Sequence, residues 1–436
     1  MQNFVYKNPT EILFGKGMIR EIAGRIPKDL SVLFLYGGGS IKKNSVYEQV
    51  KTALEGRPNT NQSKRSGDWG GTDYHDEKQN KSQCRRVIEF GGIEPNPLYE
   101  TCLKAVEAVK KEKVGFILAV GGGSVLDAAK FIAAAACFSG TVPIPLNRSE
   151  AEIGAVQTTI LEKKYKVWAD PWTILLEHGA NVKAALPIGT VLTLPATGSE
   201  ANGNSVISRG VTREKLHFFS PYVFPRFSVL DPETTFSLPV KQVRNGIVDA
   251  FVHVMEQYIT YPARAPLQDR MAEALLQTLI EIAPAALSKT KDYETRATFM
   301  WSATLALNTL VGCGVPQDWS THMIAHELTA FYGLDHAETL AIVLPGVWQY
   351  KLTAKKKKLE QYGRRVWNVK TAKEAILKTE AFFHSIKMPT HLGDYKISAK
   401  EAARKVRERF KERDSVFGEH GDITPDAVAK IIASRA

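Results

Sequence analysis

Val114-Gly-Phe-Ile-Leu-Ala-Val-Gly-Gly-Gly-Ser-Val-Leu-Asp127 decides the fold class of this chain. The run from Val114 to Val120 is almost wholly apolar, stops at three glycines and a serine, and gives way to helical periodicity from Val125 to Ala136. A short apolar run cut off by glycine and followed at once by a helix reads as a buried parallel strand of a βα unit. Glycines let the backbone approach a ligand closely, and the free N–H groups of a helix start favour an anion such as a pyrophosphate. The spacing is not G-x-G-x-x-G, so that fingerprint is absent and a purely structural turn stays open as the alternative.

Two further stretches repeat the pattern. Ser31–Tyr36 ends at Gly37-Gly-Gly-Ser40, and Thr190–Leu194 ends in Pro195-Ala-Thr-Gly-Ser199. Three glycine- and hydroxyl-rich turns after parallel strands would share the carboxyl edge of one sheet, where ligands of open α/β sheets bind. That favours phosphate binding over punctuation. Beyond about Val240 such runs cease, and Arg244–Thr260 and Gln317–Tyr332 carry helical periodicity. The expectation is an α/β, Rossmann-like nucleotide-binding domain over 1–232 and an all-α domain over 233–436. Two irregular stretches, Arg57–Arg86 and Gly140–Val167, exceed ordinary connections and read as insertions. Arg57–Arg86 in particular offers little apolar surface to offset the entropy of ordering it.

Apolar residues make up 44% of the 436 and charged residues 24%, the balance of a soluble globular protein. No apolar run reaches the roughly 18 residues of a membrane span, and Met1–Thr10 resembles neither signal nor transit sequence. A cytoplasmic protein is expected. Cys84, Cys102, Cys137 and Cys313 form no C-x-x-C pair and read as reduced, incidental thiols. The net charge of +11 is spread along the chain, and its longest run, Lys355–Lys358, reads as the solvated face of a helix. With no nucleic-acid-reading motif present, the excess fits long-range attraction of an anionic cofactor instead.

The second half offers metal ligands. Asp249 and His253 stand four apart and share a helical face, His322 and His326 repeat that spacing, and His336 follows. A carboxylate with imidazoles suits Fe²⁺ or Zn²⁺, although any single histidine also reads as an ordinary core residue. His322-Met-Ile-Ala-His326 lacks the glutamate of a metalloprotease helix.

At this point the chain resembles the iron-containing alcohol dehydrogenases, in their NADPH-dependent aldehyde reductase and butanol dehydrogenase branch. The likeness rests on Ile12-Leu-Phe-Gly-Lys-Gly17, Phe90-Gly-Gly-Ile-Glu-Pro-Asn-Pro97, Leu118–Asp127, Leu192-Thr-Leu-Pro-Ala-Thr-Gly-Ser-Glu200, Val248–His253, Gly314–His322, His326–Ala330 and His336–Ala341. It implies the dehydroquinate synthase-like fold, with Asp249, His253, His322 and His336 as metal ligands. His326 is implied as a catalytic histidine beside nicotinamide and substrate, and Asp127 as a carboxylate near them. Gly122, Gly123 and Ser124 match the phosphate-binding turn. Asn96, Thr193, Thr197, Ser199 and Lys215 match cofactor-contacting positions.

NAD-preferring relatives carry an acid after the second parallel strand, where it would repel a 2′-phosphate. Here Gly38, Gly39, Ser40 and Lys43 offer N–H donors, a hydroxyl and a cation, which favours NADP(H). The implied reaction is hydride transfer between nicotinamide and a carbonyl carbon, with the metal as Lewis acid and His326 in a proton relay. A homodimer is expected. The alternatives are a glycerol-type polyol dehydrogenase of the same fold, or a non-catalytic NADPH-binding protein inactivated by its insertions.

Overall fold

The computed structural model describes residues 1–55, 86–138 and 170–436. Except for Arg86, both predicted insertions fall outside those residues, as does Cys84.

The run at Val114 forms β4 (Phe116–Gly122), a central strand of a six-stranded parallel sheet. The others are β1 (Glu11–Phe14), β2 (Val32–Gly37), β3 (Val87–Ile93), β5 (Ile188–Leu194) and β8 (Phe227–Leu230), in the order β1-β8-β5-β4-β2-β3. β2, β4, β5 and β8 are buried on both faces, which is why they read as continuous apolar runs. Along β2, Leu33 and Leu35 join one core, while Val32, Phe34 and Tyr36 join the other. Helices α2 (Tyr99–Lys111) and α3 (Gly123–Ala136) cover the first face, and α1 (Val46–Glu55) the second. The chain runs from β2 out to β3 and back across to β4, so the crevice between the carboxyl ends of β2 and β4 is a topological switch point.

β1, β8 and a hairpin of β6 (Asn204–Arg209) and β7 (Glu214–Phe219) were not read from the sequence. β1 has only four residues, and the hairpin strands mix Asn, Ser, Arg, Lys and His among their apolar residues, so neither shows a clean run. A short helix, α4 (Thr173–Leu176), precedes β5.

The second half is helical, from α5 (Val240–Tyr258) through α6 (Pro266–Ser288), α7 (Tyr293–Ala306), α8 (Ser320–Tyr332), α9 (His336–Tyr350), α10 (Leu352–Tyr362), α11 (Ala372–Ser385), α12 (Ala399–Glu412) and α13 (Pro425–Ala433). One core spanning Val243 to Ile432 holds it together. α5 lies at its centre, with every residue from Asn245 to Tyr258 buried. The helix expected from Gln317 begins three residues later. Trp319 takes the left-handed conformation at φ 62°, and Asp318 Oδ1 accepts the Ser320 N–H at 2.9 Å. α8 ends at Gly333, whose φ of 69° is the left-handed turn that glycine permits.

The lysine run corrects an expectation. Lys356 and Lys357 face solvent, but Lys355 and Lys358, three apart on α10, point inward. Lys355 lies 2.6 Å from Asp318 Oδ2 and 2.8 Å from Glu419 Oε2, and Lys358 pairs with Asp269. Buried ammonium groups are tolerated because each meets a carboxylate. Cys102, Cys137 and Cys313 are free thiols. Among the described residues no helix is long and apolar enough to cross a membrane.

Candidate active site and metal centre

A single cleft of about 990 Å³ runs along the carboxyl edge of the sheet and onto the helical half. The turns after β2, β4 and β5 form one wall, and residues of α5, α8 and α9 form the other. Every residue singled out from the sequence lines it, with one exception. Lys43 is exposed on the turn Ser40–Lys43, whose Ile41 packs inward and whose Lys42 lies over the Tyr36 and Tyr47 rings at 5.0 and 4.9 Å.

On the nucleotide side, α3 opens at Gly123 directly against the turn after β5. A Cβ at Gly123 would sit 2.5 Å from Thr197 Cγ2, so the close approach requires glycine. Asn96, at φ 55°, donates its N–H to Ser124 Oγ at 3.3 Å and accepts from Lys215 Nζ at 2.8 Å. The three thus form one chain of contacts across the cleft. Burial pulls the Lys215 ammonium down to about 8, with Asp249 and Asp127 opposing it.

Asp127 accepts from Ser199 Oγ at 2.6 Å and from the Val206 N–H at 3.0 Å. One turn along α3, buried Lys130 donates to Ser199 Oγ, Asn202 Oδ1 and the Asn204 carbonyl at 2.8, 3.1 and 2.7 Å. Both Asp127 oxygens are therefore engaged within the protein, and the carboxylate pins the β5 turn and the hairpin to α3 as well as facing the cleft.

On the other wall, donor atoms of Asp249, His322 and His336 lie within 4.8 Å of one another. His253 flanks this group. Its Nε2 is 3.5 Å from Asp249 Oδ1, and its ring stacks on His322 with centroids 4.8 Å apart. Three elements deliver these side chains: α5 carries Asp249 and His253, α8 carries His322, and His336 opens α9. The α9 start is tied to α5 because Asp335 accepts from Asn245 at 2.9 Å and pairs with Lys241 at 2.9 Å, while Glu338 Oε2 accepts the Asp335 N–H at 3.0 Å.

Buried Asp249 Oδ1, His253 Nδ1, both nitrogens of His322 and His336 Nδ1 have no hydrogen-bond partner among the described residues. Orphaned buried polar atoms converging on one point call for a ligand. Burial holds His253 and His322 down to about 4, and His326 and His336 well below the ordinary histidine value. The rings are neutral, which is the form that ligates. One carboxylate and neutral imidazoles fit a divalent ion. His326, the next turn of α8, stands outside the group with its centroid 5.1 Å from His336 and 6.5 Å from His322.

Trp319 and His217 are among the cleft residues that escaped the sequence reading. Trp319 holds its ring centroid 5.1 Å from His322 and 6.3 Å from His253, and donates from Nε1 to Gln317 Oε1 at 2.8 Å. His217 shares the Lys215 face of β7. Period-two alternation from Lys215 would have found it had the hairpin been recognised.

Comparison with known proteins gives the family. Residues 74–232 match the family described as iron-containing alcohol dehydrogenase, and 244–436 match the C-terminal part of the Fe-containing alcohol dehydrogenase family. The chain is 46% identical to the NADPH-dependent aldehyde reductase YqhD of Escherichia coli K12, over 99% of each chain. It is 39% identical to NADP-dependent alcohol dehydrogenase 3 of Entamoeba histolytica, over 97% of this chain and 96% of that one. The crystal structure of E. coli K-12 YqhD superposes with a TM-score of 0.85 at 45% identity, covering 100% of this chain and 99% of the other. That of NADH-dependent butanol dehydrogenase A from Thermotoga maritima gives 0.83 at 31%, with the same coverage. Built on one cleft that joins glycine turns to a carboxylate–imidazole cluster, the chain belongs to the iron-containing alcohol dehydrogenase family.

Proposed function

We propose that this chain reduces aldehydes to primary alcohols with NADPH, and runs the reverse oxidation with NADP⁺, using one divalent ion, Fe²⁺ or Zn²⁺, held by Asp249, His253, His322 and His336. The carrying observation is that the three glycine turns and the converging donor atoms of Asp249, His322 and His336 open onto one cleft. The full-length likeness to an aldehyde reductase and an alcohol dehydrogenase named for NADPH and NADP supports the same reading.

When bound, the ion supplies Lewis-acid polarisation of the carbonyl oxygen and the cofactor supplies the hydride. The chain's own residues do the rest. Gly122, Gly123 and Ser124 present the start of α3 to the pyrophosphate. Gly38, Gly39 and Ser40 receive the 2′-phosphate with N–H groups and a hydroxyl, and no carboxylate stands among them. Asn96, Thr193, Thr197 and Lys215 hold the nicotinamide half, and Asp127 with Ser199 fixes the turn beneath it. His326, neutral and buried beside the donor cluster, relays a proton to the product oxygen, one ring nitrogen donating its proton as the other accepts one delivered from solvent, so the ring stays neutral. Each reduction consumes one aldehyde, one NADPH and one proton. The unit over 1–232 brings the cofactor and that over 233–436 brings the ion, in a cytoplasmic homodimer.

The test is NADPH oxidation with butanal, before and after chelation and after readdition of Fe²⁺ or Zn²⁺. Aldehyde-dependent oxidation that chelation abolishes and metal restores is expected. Tight NADPH binding with no butanal-dependent oxidation under any metal condition would establish the non-catalytic alternative.

A further inference from the structure

Glu256 lies one turn beyond His253 on α5 and carries a carboxylate that the proposed reaction does not use. It is 3% exposed, its Oε1 is 3.7 Å from His322 Nδ1, and neither of its oxygens makes a well-formed hydrogen bond among the described residues, although the Thr321 hydroxyl and N–H lie beside it. His322 Nδ1 is equally unpartnered. Buried polar atoms left in this state are destabilising on both sides. A small movement of the imidazole relieves both at once, if Nδ1 carries the proton and donates it to Glu256. That tautomer leaves the lone pair on Nε2, the nitrogen that faces away from Glu256.

From this geometry, and resting on the metal reading above, we infer that Glu256 is a positioning residue of the metal centre. It fixes His322 as the Nδ1–H tautomer and aims Nε2 at the ion.

The surroundings explain how the carboxylate keeps its place. The Asp318 N–H donates to the Glu256 carbonyl at 2.9 Å, tying the turn before α8 to α5. The Asp318 side chain in turn meets Lys355 at 2.6 Å, and Lys355 also donates to the Ile259 carbonyl at 2.7 Å. Glu256, Asp318, Thr321 and Lys355 share the wall of a small cavity of about 10 Å³. Burial and then the Asp318 charge push the Glu256 carboxyl up to about 8, and Lys355 opposes that rise while it locks α5, α8 and α10 in register. A carboxylate on one helix aimed at the outer nitrogen of a ligand on the next sets the direction of that ligand's lone pair.

The experiment uses full-length protein stripped of metal and reloaded with Zn²⁺. Zinc affinity is measured by competition with a chromophoric chelator in the parent, Glu256→Gln and Glu256→Leu, and thermal unfolding of each is measured without metal. Loss of about 10–100-fold in affinity is expected for Glu256→Leu. A smaller loss is expected for Glu256→Gln, whose carbonyl still accepts the Nδ1 proton. NADPH binding should be unchanged in both. A structural role alone would lower metal-free stability and leave zinc affinity within about twofold of the parent, and that result overturns the inference. Should the leucine variant fail to fold, ¹⁵N shifts of His322 in the zinc-loaded parent decide the matter. Nδ1–H supports the inference and Nε2–H overturns it. A parent that takes up no stoichiometric zinc would remove the metal reading itself, whereas equal zinc affinity in parent and leucine variant removes this inference alone.

Discussion

The Gly246 Cα faces the Pro195 carbonyl so closely that a Cβ there would fall 2.2 Å from the oxygen. This contact seats α5 on the turn after β5, and Asp249, one turn on, lines the same cleft as Thr197 and Ser199 of that turn. Gly246→Ala gains about 1 kcal/mol of helix propensity, but the clash is with backbone and cannot be relieved by a rotamer change. Overpacking of this kind costs about 1–3 kcal/mol. The variant should unfold at lower temperature in scanning calorimetry and bind metal more weakly, since the helix must tilt away. An unchanged unfolding temperature would contradict the close seating.

His336 is the first residue of α9 and reaches the donor cluster from a helix that contributes nothing to the nucleotide turns. His336→Ala should therefore remove stoichiometric metal and abolish butanal-dependent NADPH oxidation, while NADPH binding measured by fluorescence persists. Asp249→Asn should behave alike. Full turnover by His336→Ala would remove it from the ligand set.

Much of this arrangement was legible in the chain because its signals are local. Buried parallel strands read as apolar runs, and the glycine turns that end them fall on one edge by topology alone. The i, i+4 pairs Asp249/His253 and His322/His326 follow from helical geometry. What was hidden depends on tertiary partners. Lys355 and Lys358 looked solvated because the carboxylates that bury them, Asp318, Glu419 and Asp269, lie far off in sequence. Trp319 was read as helical because its left-handed backbone is imposed by the turn before α8, not by its own preference. Lys43, adjacent to the predicted phosphate turn, fails to face the cleft because a tight turn rotates it outward.

Gly38 has open space where its Cβ would be, and its backbone is not in the left-handed region. An aspartate fits there without strain, so Gly38→Asp isolates the effect of charge. A carboxylate beside the 2′-phosphate should raise the KM for NADPH at least tenfold while leaving NADH use level or improved through its free 2′-hydroxyl. Initial rates with both cofactors measure this. Retained preference for NADPH would place the 2′-phosphate elsewhere.

Lys215 gives cofactor binding a definite pH dependence. Burial lowers its pKa from 10.5 to about 8, so in the folded, ligand-free protein the ammonium exists chiefly below about pH 8. An anionic cofactor is attracted to the charged form only, and its affinity should be greatest below pH 8 and fall as pH rises through that value, by at most about tenfold per unit. Lys215→Met should bind NADPH more weakly at pH 7 and show no such fall between pH 7 and 9. Stability without ligand moves the opposite way. A lysine whose folded pKa lies below its unfolded one makes the charge a burden on the fold, full below about pH 8 and relieved as pH rises toward 10.5. Fluorescence titration of NADPH across this range, alongside urea unfolding of the ligand-free protein, reads both slopes. A parent affinity flat from pH 7 to 9 would show that the Lys215 charge does not reach the cofactor.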